Sequence, residues 1–270
     1  MSFGPLVDVD WLRAALGRPA LCVVDCRWKL GDPRAGRAGY LAGHIPGAAF
    51  LHLDRDLSGP PGGRGRHPLP EAAEFERAAR RAGIGEHSEV VAYDEGGESG
   101  AARLWWLFRH FGHERVAVLD GGLAAWREAG GPLAPGDERP APGDFTATER
   151  RDDTVSLEEV SAGGLTLVDA RAPERYEGRS EPVDPVAGHI PGAANVPFGE
   201  LAPGGRFLDP AELRKRLAGV GDELVAYCGS GVSACTVVLA AELAGIDARL
   251  YPGSWSEWSG RGLPAKTGDS

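Results

Sequence analysis

A cysteine in a glycine-rich turn is the residue of this 270-residue chain best placed for covalent chemistry. Cys228 ends the apolar run 224–228, and five residues lead from it to an apolar helical stretch: Gly229, Ser230, Gly231, Val232 and Ser233. In a strand-to-helix turn, backbone N–H groups and the positive end of the helix can stabilise a thiolate. The hydroxyl groups of Ser230 and Ser233 can donate to the same sulfur. We predict that Cys228 is a nucleophile able to carry an anionic persulfide.

The other cysteines point to no metal site. Cys22, Cys26 and Cys235 lack zinc-ribbon spacing, and none forms a Cys-x-x-Cys pair. We expect these three to be small buried thiols in a reducing compartment. The sequence therefore predicts neither a metal nor an organic cofactor.

An internal repeat indicates a duplicated domain. Residues 42–49 and 187–194 share the octapeptide AGHIPGAA, and the flanking runs 21–27 and 165–171 also agree. Downstream, VVAYD at 90–94 matches LVAYC at 224–228, so Asp94 takes the position of Cys228. Residues 134–144 are rich in Pro, Gly and charge, as a linker would be. We predict an N-terminal domain over 1–133, a linker over 134–147 and a C-terminal domain over 148–270.

Each copy alternates strand-sized apolar runs with amphipathic stretches. The first predicts strands at 21–24, 90–93 and 116–119 and helices at 70–82 and 101–111. The second predicts strands at 166–168, 224–227 and 248–250 and helices at 210–217 and 232–244. This order predicts an α/β fold, with a mostly parallel sheet and helices on both faces in each domain. Reactive groups then gather at the carboxyl ends of the strands. The Gly- and Pro-rich segment 59–70 is predicted to be a surface loop.

The doubled HIPGAA segment, the Asp-x-Arg motif before each copy, and the run Cys-Gly-Ser-Gly-Val-Ser from Cys228 together resemble tandem rhodanese sulfurtransferases. The resemblance covers nearly the whole chain. It implies a catalytically silent first domain, which fits Asp94, and a persulfide on Cys228 in the second. It also implies a double displacement, in which Cys228 takes sulfur from a donor and passes it to cyanide or a thiol.

The turn after the cysteine bears on the donor. Thiosulfate-preferring members of the family have basic residues there, whereas Gly229 and Ser230 are neutral, so the chain resembles the 3-mercaptopyruvate sulfurtransferase branch. That branch binds its donor with two arginines. Arg175 falls on the first position and can bind a carboxylate bidentately. The second position falls on Asp184, and Arg179 is a nearby substitute. Thiosulfate stays the alternative donor.

Two further residues are candidates, the first through the resemblance and the second through its position in the sequence. A histidine matching His44, with Ser230 and an upstream aspartate, for which Asp32 is nearest, would form a proton relay in that branch. His44 recurs as His189 in the second copy, which favours a structural role for both. Trp28 follows the first Asp-x-Arg motif and either packs in the core, which is favoured, or overhangs the entry between the domains.

Other function classes fit less well. A tyrosine-phosphatase-like enzyme needs an arginine six residues after the cysteine, where this chain has Ala234. A non-enzymatic persulfide carrier or protein-binding module is a second alternative. With a net charge of -10 and no basic stripe, we expect no nucleic-acid partner. We also expect no signal peptide or membrane span, a cytoplasmic location, and cyanide, a thiol or a thioredoxin-like protein as sulfur acceptor.

Overall fold

The computed structural model describes residues 3–221 and 223–268. These residues divide into two compact units. The first comprises the described residues up to Gly59, Pro70–Arg150 and Gly204–Arg206, and the second comprises Pro60–Leu69, Arg151–Pro203 and the described residues from Phe207 onward. Each unit therefore includes one short segment from the other half of the sequence: Gly204–Arg206 belongs to the first unit, and Pro60–Leu69 belongs to the second. Among the described residues, no helix has the length and apolar character that a membrane span requires.

The strands of the two units are β1 Leu6–Val7, β2 Leu21–Asp25, β3 Ala49–Phe50, β4 Glu89–Tyr93, β5 Val116–Leu119, β6 Leu167–Asp169, β7 Ala194–Asn195, β8 Glu223–Tyr227 and β9 Asp247–Leu250. The helices of the first unit are α1 Val9–Ala15, α2 Ala35–Ala42, α3 Leu53–Asp56, α4 Ala72–Arg81, α5 Gly100–His110 and α6 Gly122–Glu128. Those of the second are α7 Leu157–Ala162, α8 Pro173–Tyr176, α9 Phe198–Leu201, α10 Pro210–Leu217, α11 Ala234–Ala244 and α12 Ser254–Gly260.

The sheet of the first unit has five strands in the order β1-β5-β4-β2-β3, and each described pairing is parallel. The central strands β4 and β5 are buried along nearly their whole length. Continuous burial is expected of parallel strands, since helices cover such sheets, and it explains their unbroken apolar sequence. The predicted strands and helices of this unit are present with boundaries within two residues of those predicted.

The second unit repeats this arrangement with four parallel strands in the order β7-β6-β8-β9. The counterpart of β1 is a single parallel bridge between Thr154 and Leu250. β8 lies between β6 and β9, so the residue that follows it emerges at the middle of the carboxyl edge. The predicted fold class, two tandem α/β domains with parallel sheets and helices, is confirmed.

The Asp-x-Arg motif after the first long strand of each unit is a buried ion pair. Arg171 donates from Nε to both carboxylate oxygens of Asp169, at 3.0 and 3.1 Å, and from Nη2 to the carbonyl of Gly188 at 2.7 Å. The first unit repeats these bonds between Arg27, Asp25 and the carbonyl of Gly43. Because the glycine directly precedes the repeated HIPGAA segment, the pair attaches the start of that segment to the sheet edge. The motif is therefore part of the fold in both units.

Candidate active site

Cys228 follows β8 directly and is 2% exposed. The turn of residues 229–233 connects it to α11, which begins at Ala234. Two backbone bonds hold the turn from the side of α12: N–H groups of Trp255 and Ser256 donate to the carbonyls of Cys228 and Gly229, each at 2.9 Å. The cysteine thus lies at a fixed strand-to-helix turn, as the sequence predicts.

The sulfur of Cys228 accepts a hydrogen bond from the N–H of Gly231 at 3.1 Å. Gly231 has a φ of 78°, and a Cβ there would lie 2.5 Å from the carbonyl oxygen of Pro252, so only glycine fits. The predicted hydroxyl donors do not reach the sulfur: among the described residues, Gly231 is its one donor. Ser230 points to a histidine, and Ser233 precedes α11 without capping it through its side chain.

The corresponding turn of the first unit holds a carboxylate. Asp94 accepts from the N–H of Gly96 at 2.9 Å and from that of Ala101 at 3.2 Å. Burial raises the pKa of Asp94 above its usual value, while the hydrogen bonds from Ala101, Gly96 and Glu98 act in the opposite direction. The turn therefore presents inward N–H groups to an acidic side chain even where the cysteine is absent. A persulfide has the same need for donors.

Ser230 is hydrogen-bonded to His67, with 2.7 Å between its Oγ and Nδ1. This corrects the predicted pairing of Ser230 with His44. In the first unit, Nδ1 of the buried His44 donates to the carbonyl of Tyr40 at 2.9 Å, and the two rings stack at 4.2 Å. His189 repeats this arrangement with Tyr176, so both repeated histidines support their turns. Asp32 likewise caps a local turn, accepting from the N–H of Arg34.

His67 lies in the segment 59–70, which was predicted to be a surface loop. The prediction is wrong for the second half of this segment. Residues 60–64 are exposed, but Gly65, His67 and Pro68 are buried within the second unit. The N–H of Arg66 donates to Oγ of Ser256 at 3.1 Å. This packing was not predicted because glycines and prolines indicate a turn without indicating which residues pack against it. The sequence signal that was missed is the arginine and histidine pair within the Gly- and Pro-rich run.

Arg175 lies on α8 and forms ion pairs with two carboxylates. Its Nη2 donates to Glu181 at 2.7 Å and to Asp184 at 3.2 Å, and its Nε donates to Glu181 at 3.0 Å. A Cβ at Gly229 would lie 3.4 Å from Nη1 of Arg175. The predicted donor-binding arginine therefore lies beside the residue that follows the cysteine.

The family model of the rhodanese-like domain matches residues 8–129 and 155–261. This chain belongs to the rhodanese family. It is 46% identical to the probable 3-mercaptopyruvate sulfurtransferase of Pseudomonas aeruginosa, with all of both chains covered. It is 48% identical to the putative thiosulfate sulfurtransferase SseB of Mycobacterium tuberculosis over 88% of this chain and 87% of the relative. The crystal structure of the 3-mercaptopyruvate sulfotransferase SseA from Escherichia coli is similar, with a TM-score of 0.82, 34% identity and 94% and 100% of the chains covered.

The predicted enzyme class is confirmed by these comparisons: this rhodanese is a sulfurtransferase. The phosphatase and the non-enzymatic module fall as alternatives. The tandem rhodanese architecture inferred from the repeat is also confirmed, since the family model matches twice.

Two further predicted site residues of the rhodanese chain make local contacts within their own units. Arg179 is 60% exposed and pairs with Glu177, so it does not replace the second arginine at Asp184. Trp28 is half-buried in the first unit, where its backbone N–H donates to the carboxylate of Glu98 at 3.1 Å. Asp184 is paired instead with Arg66, in addition to its contact with Arg175.

Proposed function

We propose that this chain takes sulfur from 3-mercaptopyruvate onto Cys228 and passes it to cyanide or a thiol. The observation that carries the proposal is the buried cysteine after β8, with the N–H of Gly231 donated to its sulfur. The Pseudomonas aeruginosa relative that matches the whole chain is named for this donor.

The two half-reactions balance without a cofactor. The Cys228 thiolate attacks the thiol sulfur of mercaptopyruvate, an S–S bond forms, and the donor's C–S bond breaks with its electrons moving to carbon. The carbon takes up the proton released by the donor thiol, which gives pyruvate and the persulfide anion. The acceptor then attacks the outer sulfur, the S–S bond breaks, and the thiolate is restored.

We assign the proton transfer to Ser230 and His67. The donor thiol must lose a proton and the leaving carbon must gain one, so a hydroxyl joined to an imidazole beside the reacting sulfur supplies a route for both. The 2.7 Å contact between Ser230 and His67 supports this assignment. It replaces the relay through His44.

Donor choice is supported by local charge. Gly229 and Ser230 bring no charge to the turn, and the arginines beside it, Arg66 and Arg175, are paired with Asp184 and Glu181. A charge-balanced cluster suits directed hydrogen bonds to one carboxylate better than it suits the thiosulfate dianion. Thiosulfate remains the second candidate because SseB of Mycobacterium tuberculosis is named for it.

The experiment is a side-by-side measurement of kcat/KM for 3-mercaptopyruvate and thiosulfate, with cyanide as acceptor. We expect mercaptopyruvate to be preferred. A preference for thiosulfate would replace the proposed donor with the alternative.

We propose Arg175 as a ligand of the donor carboxylate. Arg175→Ala should raise KM for mercaptopyruvate, while a preformed persulfide should still react with cyanide at the wild-type rate. Arg179→Ala is the control, since Arg179 is exposed and paired with Glu177. Equal KM values in the two variants would remove Arg175 from the donor site.

We propose that the first domain, over 1–133, is catalytically silent in that it carries no nucleophile, with 134–147 as linker and 148–270 as the catalytic domain. The segment 60–69 of the first domain, which belongs to the second unit, is the exception because it supplies His67. Asp94 supports the silence of the first domain, because its carboxylate occupies the position of the reactive sulfur. Cys228→Ser should abolish transfer from every donor; residual turnover would assign activity to another thiol.

We also propose the cytoplasm as the location, with cyanide, a small thiol or a thioredoxin-like protein as acceptor. The four cysteines are free thiols, and a reducing compartment keeps thiols in this state. Incubating the persulfide form with each acceptor and measuring its discharge would rank the three.

A further inference from the structure

A buried carboxylate lies where the donor site needs a cation. Asp184 has 4% of its side chain exposed and takes the position that the mercaptopyruvate branch gives to its second arginine. Burial raises the pKa of Asp184, and the Arg66 charge opposes this. A carboxylate here without compensation would repel the carboxylate of the donor.

Arg66 supplies the compensating charge from a distant part of the sequence. Its Nη1 forms an ion pair with Asp184, and its backbone N–H is bound to Ser256. The next residue, His67, is bound to Ser230. The preceding residue, Gly65, has a φ of 98°, and a Cβ there would lie 2.8 Å from the carbonyl oxygen of Gly253. The backbone of Arg66 is thus fixed against the turn that follows Cys228.

The guanidinium of Arg66 has donors left over. Its Nη1 is used by Asp184, whereas Nε is buried and finds no hydrogen-bond acceptor among the described residues. Its Nη2 lies 2.8 Å from the position that a Cβ at Gly229 would take. Nη1 of Arg175 lies 3.4 Å from the same point, while Nε and Nη2 of Arg175 bind Glu181. Two guanidinium groups therefore converge beside Gly229, the neighbour of the nucleophile.

We infer that Arg66 is a donor-binding residue, which with Arg175 binds the carboxylate of the sulfur donor, and that Asp184 is its positioning residue. The inference rests on the proposed function, because it needs a carboxylate donor. The reversed charge at Asp184 then has a physical reason. The second arginine of the donor site comes from the 60–69 segment, and Asp184 orients its planar guanidinium group.

The test compares Arg66→Ala, Arg66→Lys and the control Arg64→Ala with two donors. The donors are 3-mercaptopyruvate and mercaptoacetone, which keeps the ketone and thiol and lacks the carboxylate. Arg64 is exposed and two residues away in the same segment. For mercaptopyruvate, Arg66→Ala should lower kcat/KM about 10- to 100-fold, mainly through KM, because a charge-assisted contact is lost. Arg66→Lys should recover part of this loss, since it keeps the charge but not the fork.

With mercaptoacetone, Arg66→Ala and wild type should have the same kcat/KM, and discharge of the preformed persulfide to cyanide should be unchanged. Asp184→Asn should raise KM for mercaptopyruvate and leave kcat and the mercaptoacetone KM unchanged. Equal mercaptopyruvate kinetics for the Arg66 and Arg64 variants would overturn the inference. So would an equal loss with both donors, which would mean that Arg66 only supports the turn. A wild type inactive on mercaptopyruvate but active on thiosulfate would refute the proposed donor itself, and the carboxylate assignment with it.

Discussion

Gly229→Ala separates donor binding from folding at the turn. Gly229 is not one of the residues with a left-handed backbone, so alanine fits its conformation. The new methyl group would lie 2.8 Å from Nη2 of Arg66 and 3.4 Å from Nη1 of Arg175. Since these are the ends of flexible side chains, Arg66 can retreat by roughly half an ångström at little cost in stability. We expect a free energy of unfolding within about 0.5 kcal/mol of wild type.

This shift would remove the hydrogen bond from Arg66 to the donor carboxylate. A hydrogen bond to a charged group contributes about 1.5–3 kcal/mol. At about 1.36 kcal/mol per tenfold change in rate, kcat/KM for mercaptopyruvate should fall about 10- to 150-fold.

Steady-state kinetics with cyanide, paired with thermal unfolding, measures both quantities. Gly199→Ala is the matched control, because a Cβ there meets nothing within 4 Å. Gly231→Ala is the opposite case: its backbone φ of 78° and the carbonyl of Pro252 at 2.5 Å predict lost stability and lost activity with every donor. An unchanged kcat/KM in Gly229→Ala would refute the placement of the two guanidinium groups at the donor site.

Three further predictions concern the second unit. Asp169→Asn removes the carboxylate closest to the buried guanidinium of Arg171, which keeps Glu181 at 3.2 Å. The free energy of unfolding should fall by about 3 kcal/mol in denaturant titration, the low end for breaking a buried pair; a loss under about 1 kcal/mol would contradict the buried pair. Burial raises the pKa of Glu181, but bonds from Arg175 and the backbone outweigh it, so the pKa in the folded state lies below its usual value. The stabilisation from Glu181 is therefore present above its pKa in the unfolded state and is lost as the pH falls through its pKa in the folded state. Glu181→Gln should make the free energy of unfolding less dependent on pH in acid, and an unchanged slope would contradict this assignment. His67→Ala should lower mercaptopyruvate kcat at least about 100-fold, and a wild-type kcat would exclude the proton relay.

Much of the fold is predictable because it is local and repeated. The octapeptide repeat indicates the duplication, and unbroken apolar runs predict the buried strands β4 and β8 to within a residue. The two-residue strands β1, β3 and β7 were not predicted, since a period-two pattern needs about four residues to be visible.

The candidate site is predictable from sequence where a single turn carries it. Cys228 and Gly231 lie three residues apart in one turn, and their geometry follows from the strand, the glycine and the helix. The partners of this turn were not predictable in the same way. His67 lies 163 residues from Ser230, and only the folded chain brings them together.

His44 shows how a repeat separates structural residues from functional ones. The family resemblance makes His44 a candidate for proton transfer. Its counterpart His189 makes the same hydrogen bond to a tyrosine carbonyl in the other unit. A side chain that both copies need is explained by the fold. Functional residues are better sought where the copies differ, as at Asp94 and Cys228.

The central claim is that sulfur passes through a persulfide on Cys228. Its most direct test is mass spectrometry of the protein after incubation with 3-mercaptopyruvate in the absence of an acceptor, followed by peptide mapping. We predict a mass gain of one sulfur atom on the peptide that contains Cys228, which cyanide then removes with formation of thiocyanate. Turnover without this gain, or the gain on Cys22, Cys26 or Cys235 instead, would contradict the account.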